Sequence, residues 1–285
     1  MNSLGENFKQ YRKIQGFTLD SVSKNICSIP MLSRWENGTG KMDFKITLQL
    51  LERINLTGEE FINLTKLNIK DPIAQEIENA WANNQASLLK KIALDKLSLY
   101  NLHHHFIDLD YAAIACALYF DFSGENIFPL SSQNALNKQL SKITIWGQEY
   151  LSLFANATSI LSPRIIYQIS SQILENISFI LKAGTNTFHF GLATLFEAEI
   201  GLILKGNINY AQNLNKQILS INIPENEMLL IVGRNFIQSL LEYLDTHNDT
   251  SSLTIITFLI KMNMKTTANY FLKILNSLKN KRELI

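Results

Sequence analysis

The sequence predicts an all-α protein in two parts: five short helices in residues 1–67, then an α-solenoid of helix pairs over residues 72–285. Three observations carry this prediction. Five prolines and twelve glycines in 285 residues are too few for an all-β sandwich, which needs a turn signal roughly every 8–12 positions. Apolar residues recur at helical spacing, as in the broad stripe Ile165, Ile169, Ile173, Ile177 and Ile180. Helix-length segments also come in pairs with a loose period of roughly 40 residues, the signature of stacked repeats. Hydrophobic residues make up 46% of the chain and charged residues 18%, enough to fill a core. A compact helical bundle is the alternative arrangement of the same C-terminal helices.

The first five helices each carry local start and stop signals. Phe8, Tyr11 and Arg12 share one face of the first helix, which Gly16 ends. Thr18 caps a second helix with apolar positions Leu19, Val22 and Ile26. Ser28 caps a third with Pro30 in its first turn, where a missing N–H costs nothing. Leu32 and Trp35 face inward there, and Gly38 ends the helix. Asp43 caps a fourth, with Ile46, Leu50, Leu51 and Ile54 on its apolar side. Thr57-Gly58-Glu59-Glu60 fits a capping box for the fifth. Asn68–Pro72 then breaks the pattern, because a residue before proline is biased out of the helical region; the domain boundary is placed at about residue 70.

Beyond it, the predicted pairs are Gln148–Ile160 with Arg164–Lys182, Thr187–Leu204 with Asn207–Ser220, and Glu225–Leu244 with Ser251–Lys261. A last helix, Lys265–Lys281, is more polar, and the charged run Lys279–Glu283 suits a solvent-facing cap.

Charge narrows the partners. Lys and Arg number 26 against 25 Asp and Glu, a formal net charge of +1. The balance is +2 over residues 1–67 and −1 over the remainder. Bulk attraction to nucleic acid or to an anionic membrane is excluded, so a local patch must hold any such partner. Two cysteines, Cys27 and Cys116, exclude a disulfide scaffold and a multi-cysteine zinc module, and both are expected as reduced thiols. No apolar signal core opens the chain, so a cytoplasmic protein with no membrane partner is expected. His103-His104-His105 is read as a solvated helix end, since adjacent helical residues diverge by about 100° and cannot converge on one ion. Asp108 and Asp110 are read as caps of a helix starting near Leu109. No phosphate loop, nucleophile elbow or metalloprotease motif occurs, so neither an enzyme nor a cofactor is expected.

The stretch Arg12-Lys13-Ile14-Gln15-Gly16-Phe17-Thr18-Leu19, followed by Ser28-Ile29-Pro30-Met31-Leu32-Ser33-Arg34-Trp35-Glu36-Asn37-Gly38, resembles the helix-turn-helix (HTH) of phage-repressor-like (Xre-type) regulators. The physics of the pattern is separable. Two short helices must cross closely, so Ser23 is small. The second must project polar side chains into the major groove, which admits one helix. The resemblance implies that Arg12 pairs with Glu36 as a structural ion pair, that the recognition helix runs from Ser28 to Asn37 with Ser28 among the DNA-binding candidates, and that Ile29, Pro30, Ser33 and Arg34 form the groove-facing set. Arg34 is the candidate for a bidentate contact to guanine. Thr18, Lys24, Lys41 and Lys45 sit near helix ends and are candidates for phosphate contacts. Leu19 departs from the pattern, because relatives often place a phosphate-binding glutamine there. A five-helix domain that binds protein is the other reading.

Together with Leu50-Leu51-Glu52-Arg53-Ile54-Asn55-Leu56-Thr57-Gly58-Glu59-Glu60-Phe61 and the all-helical remainder, the chain resembles the Rgg/GadR/MutR family of transcriptional regulators. That resemblance implies a homodimer on a two-fold-related operator in double-stranded DNA. It also implies tetratricopeptide-like repeats that bind a short hydrophobic signalling peptide, as in quorum sensing. The response would reach transcription through DNA-domain spacing or contact with RNA polymerase. Candidates on the presumed inner helices are Trp146, Tyr150, Asn186, Phe190, Arg234, Asn235 and Gln238. Arg234 interrupts an apolar run, although a snorkelling or paired arginine explains it equally well. For Trp146 and Tyr150, burial in the core is the competing reading. The rivals to a peptide-controlled regulator are a repeat protein that sequesters a partner and a DNA-binding regulator without effector.

Overall fold

A computed structural model of the chain describes residues 3–65 and 71–283, with side chains through residue 280. It contains seventeen helices and no strand among the described residues. The chain divides into two compact units, Met1–Pro72 and Ile73–Ile285. Residues 66–70, where most of the expected junction falls, lie outside the described residues.

The first unit holds α1 (Leu4–Ile14), α2 (Leu19–Ser23), α3 (Ile29–Glu36), α4 (Phe44–Arg53) and α5 (Gly58–Thr65). Its caps are the ones the sequence specifies. Thr18 Oγ1 accepts from the Ser21 amide, Ser28 Oγ from Met31, and Asp43 Oδ1 from Lys45. The Thr57 box closes in both directions, since Glu60 Oε2 accepts from the Thr57 amide and Thr57 Oγ1 from the Glu60 amide. A further box at Ser3 and Glu6 starts α1. Gly38 leaves α3 at a φ of 73°, where a side chain would be strained. Phe8, Val22, Leu32, Trp35, Leu50, Leu51, Ile54 and Phe61 form the buried core, with Leu19 packed against it. The residue that departs from the HTH pattern therefore serves packing.

The second unit holds α6 (Pro72–Ala82), α7 (Ala86–His103), α8 (Phe106–Ser123), α9 (Leu130–Leu140), α10 (Gln148–Ala157), α11 (Pro163–Glu175), α12 (Ile177–Lys182), α13 (Thr185–Leu204), α14 (Ile208–Leu219), α15 (Met228–Thr246), α16 (Thr250–Lys261) and α17 (Lys265–Glu283). The helices α8, α10, α13 and α15 touch in succession, and α9, α11 and α14 form a second row behind them. The last helix turns back onto α13. There Phe236 of α15 and Phe271 of α17 stack with ring centroids 3.9 Å apart. α13 is the one described helix long and apolar enough to cross a membrane, and two-thirds of that stretch is buried against its neighbours. Its hydropathy is that of a central core helix.

Several local expectations are corrected. The predicted helix Arg164–Lys182 breaks at Asn176 into α11 and α12. The three histidines are exposed at the end of α7 and the start of α8, the solvated helix end the sequence suggests, with His104 at a φ of 56°. Asp108 is not a cap, because α8 already begins at Phe106; it pairs instead with Lys96 at 2.8 Å. Asp110 accepts from Gln139 Nε2 at 3.0 Å. Lys279 is tied to Asp249 and so does not face solvent freely, whereas the side chains of Lys281, Arg282 and Glu283 lie outside the described residues. Cys116 is buried and Cys27 partly so, and both are free thiols.

Candidate functional site

The recognition-helix candidate is presented outward by a buried clamp behind it. Arg12 Nε and Nη2 donate to the two Glu36 oxygens at 2.6 and 2.7 Å, and Nη1 donates to the Phe17 carbonyl at 2.5 Å. The guanidinium thus joins α1, the entry to α2 and the end of α3 through charge-assisted bonds. Both side chains are almost fully buried. Trp35 packs against Phe8 beside the clamp in a tilted arrangement, ring centroids 5.1 Å apart.

Close crossing of α1 and α3 needs a residue that sequence reading passed over. A Cβ on Gly5 would lie 1.9 Å from the Trp35 carbonyl oxygen, so only glycine fits there. Ser23 is buried in α2, as its small size suggested. Two further positioning contacts were also missed: Lys9 Nζ donates to Asn37 Oδ1 at 2.6 Å, and Arg53 donates to the Ser21 and Lys24 carbonyls at 3.4 Å. Both join side chains distant in sequence, so no local pattern announces them.

With its inner side fixed, α3 turns Ile29, Pro30 and Arg34 to solvent, with Ser33 half-buried. Ser28 is exposed, but its hydroxyl is occupied as the cap. Thr18, Lys24, Lys41 and Lys45 are exposed as well, and Thr18 Oγ1 is likewise engaged in its cap. No ion pair to Arg34, Lys24, Lys41 or Lys45 occurs among the described residues.

The second unit forms a solvent-open cavity of about 530 Å³ between α8, α10, α13 and α17, within the range of about 300–1,000 Å³ common for ligand sites. Leu118, Phe120, Ile200, Leu204 and Ile274 supply its apolar wall. Asp121, Glu197, Tyr270 and Lys273 supply most of its polarity. Tyr270 Oη donates to Glu197 Oε2 at 2.6 Å. Burial raises the Glu197 carboxyl above its ordinary range, Tyr270 lowers it, and the charge of Asp121 raises it further. Asp121 stands exposed at the mouth, yet the surrounding walls also push its carboxyl up, partly offset by Lys273.

The sequence-derived peptide candidates fall in different places. Trp146 is 0% exposed and lies in the loop before α10, so it is part of the core. Tyr150 lies about 140° around α10 from the cavity-lining Ala155. Gln238 is exposed about 160° around α15 from Phe236, the residue that meets α17, and Asn235 is exposed near the same side. Arg234 Nη1 donates to the Ile221 carbonyl at 3.5 Å, while its Nε is buried without a hydrogen-bond partner among the described residues. Asn186 and Phe190 are exposed on the same side of α13 as Glu197, because residues seven apart nearly eclipse on a helix. The cavity lining itself was missed: its residues are up to about 160 positions apart, and only tertiary packing brings them together.

Comparison with known proteins agrees with this architecture. A family model described as the C-terminal domain of HTH-type transcriptional regulator Rgg matches residues 87–271. No curated protein matches the chain by sequence. Among solved structures, a candidate transcriptional regulator from Listeria monocytogenes EGD-e superposes with a TM-score of 0.74 at 16% identity, covering 99% of both chains. The SHP pheromone receptor Rgg2 of Streptococcus dysgalactiae gives 0.72 at 12% identity over 96% of this chain and 99% of its own. PrgX in complex with cCF10 gives 0.73 at 15% identity over 99% and 94%. At such identities the superpositions establish the shared fold, while the family model covers well over half of the sequence. The chain belongs to the Rgg family of HTH-type transcriptional regulators.

Proposed function

We propose that this protein is a homodimeric, cytoplasmic regulator that reads a two-fold-related operator with residues 1–67 and is controlled by a short apolar peptide held by residues 72–285. The observation that carries the reading is the outward face of α3: Ile29, Pro30 and Arg34 are free, while Arg12 and Glu36 fix the opposite face. Arg34 reads a guanine edge and Ser33 a base edge or phosphate. Ile29 and Pro30 make apolar contacts such as to a thymine methyl. Ser28, Thr18, Lys24, Lys41 and Lys45 lie on the phosphate backbone and set the register. Peptide control is supported by the fold shared with a pheromone receptor and with PrgX bound to cCF10, and by the cavity in the repeats. The peptide favours one arrangement of the repeats and shifts the population toward it. That change reaches transcription through DNA-domain spacing or polymerase contact.

Footprinting and salt-controlled titration on the upstream region of its own gene test the DNA reading. Arg34→Ala should cost about 1–3 kcal/mol on the best site and relax one base preference. Unchanged affinity and preference would remove α3 from the groove.

A further inference from the structure

We propose that the cavity between α8, α10, α13 and α17 seats the free amino terminus of the effector peptide, with Glu197 and Asp121 taking the ammonium group and the apolar wall taking the first side chain. The inference rests on the peptide reading above and names which end of the ligand enters.

The chemistry of the walls points to an amine. Glu197 is partly buried, and its one hydrogen bond among the described residues comes from the neutral Tyr270 hydroxyl. No lysine, arginine or histidine forms an ion pair with it among the described residues. Asp121 faces the same space, and its charge acts on Glu197. Two like charges facing one partly desolvated space resist ionisation together, and a cation between them relieves both burdens. An ammonium group has three donors and no acceptor. Glu197 and Asp121 can accept two of these, and Ser159 Oγ in the same wall is buried without a hydrogen-bond partner.

The opposite assignment, a peptide carboxylate, would have to use Lys205 or Lys273. Lys205 Nζ already donates to the Ser159 carbonyl at 2.7 Å. Lys273 acts on Asp121, and a carboxylate drawn to it would meet two acidic groups. Leu118, Phe120, Ile200, Leu204 and Ile274 make the apolar part of the lining suited to an aliphatic side chain. At about 530 Å³, the space suits the end of a peptide better than its whole length. Glu197 and Tyr270 are bonded across 73 positions of sequence, so an occupant of this seat contacts α13 and α17 at once.

Four probes test this on the full-length protein, read by methyl NMR of Ile200 and Ile274: leucyl-leucinamide, its N-acetyl derivative, N-acetyl-leucyl-leucine with a free carboxylate, and Nα-acetyl-lysinamide. Leucyl-leucinamide should perturb both methyls, and acetylation should weaken its binding about tenfold or more, the scale of a charge-assisted hydrogen bond. Glu197→Gln should erase that preference while leaving methyl signals far from the cavity in place. Equal binding of the acetylated amide, or tighter binding of the free carboxylate, would overturn the amine assignment and leave the peptide reading intact. Tighter binding of Nα-acetyl-lysinamide would assign the seat to a lysine side chain in place of the terminus. Silence from all four would defeat both the assignment and the peptide reading of this cavity.

Discussion

Removing Glu36 alone is expected to do far more damage than removing Glu36 and Arg12 together. The guanidinium of Arg12 is almost completely buried and makes three hydrogen bonds, two of them to Glu36. In Glu36→Ala, a largely buried charge keeps only the Phe17 carbonyl as a partner. Breaking one side of such a pair typically costs about 3–5 kcal/mol. A unit of some sixty residues has about 3–9 kcal/mol in total, at roughly 0.05–0.15 per residue. The single variant should therefore leave the first unit substantially unfolded at growth temperature, while the second unit, with its own core, stays folded. Replacing both residues, Arg12→Met with Glu36→Leu, removes the stranded charge along with its partner and should recover most of the loss. Hydrogen-exchange mass spectrometry on peptides from α1, α3 and α13 reads the units separately. Protection should collapse in α1 and α3 for the single variant, return in the double, and stay constant in α13. The double variant should also keep operator affinity, since neither residue faces the groove. A single variant with undiminished protection, or a double variant as damaged as the single, would refute the clamp as described.

Gly5→Ala should destabilise the first unit by about 1–3 kcal/mol or more, because the clash is with the Trp35 carbonyl, which no side-chain rotation relieves; urea titration checks this. Lys45→Ala should weaken binding to every duplex alike and lower the salt slope by about one unit, against the base-selective loss in Arg34→Ala. Glu199, buried in α13 with both oxygens lacking a hydrogen bond, has its carboxyl pushed up to about 8 by burial, tempered by the nearby Asn215 amide. It keeps its proton in the native state, so its contribution is full below the ordinary carboxylate range and is lost as pH rises toward about 8. Glu199→Gln should therefore flatten the fall in melting temperature between about pH 5 and pH 9. An unchanged slope would show that Glu199 is not its source.

The sequence by itself determined the helices of the first unit, their caps, and the face that α3 offers. A cap joins groups no more than four residues apart, so Thr18, Ser28, Asp43 and Thr57 announce helix starts without reference to the rest of the chain. Arg12 and Glu36 were legible because a known motif fixes their spacing. Tertiary structure decided the direction of each side chain in the second unit. Trp146, Tyr150 and Gln238 are each compatible with an inner surface, but a broad apolar stripe does not say which neighbour will cover which flank. The return of α17 onto α13 buries one side and lines the open cavity on another. Gly5 carries the same lesson: nothing in its neighbours forbids alanine, and only the carbonyl of Trp35, thirty residues further on, does.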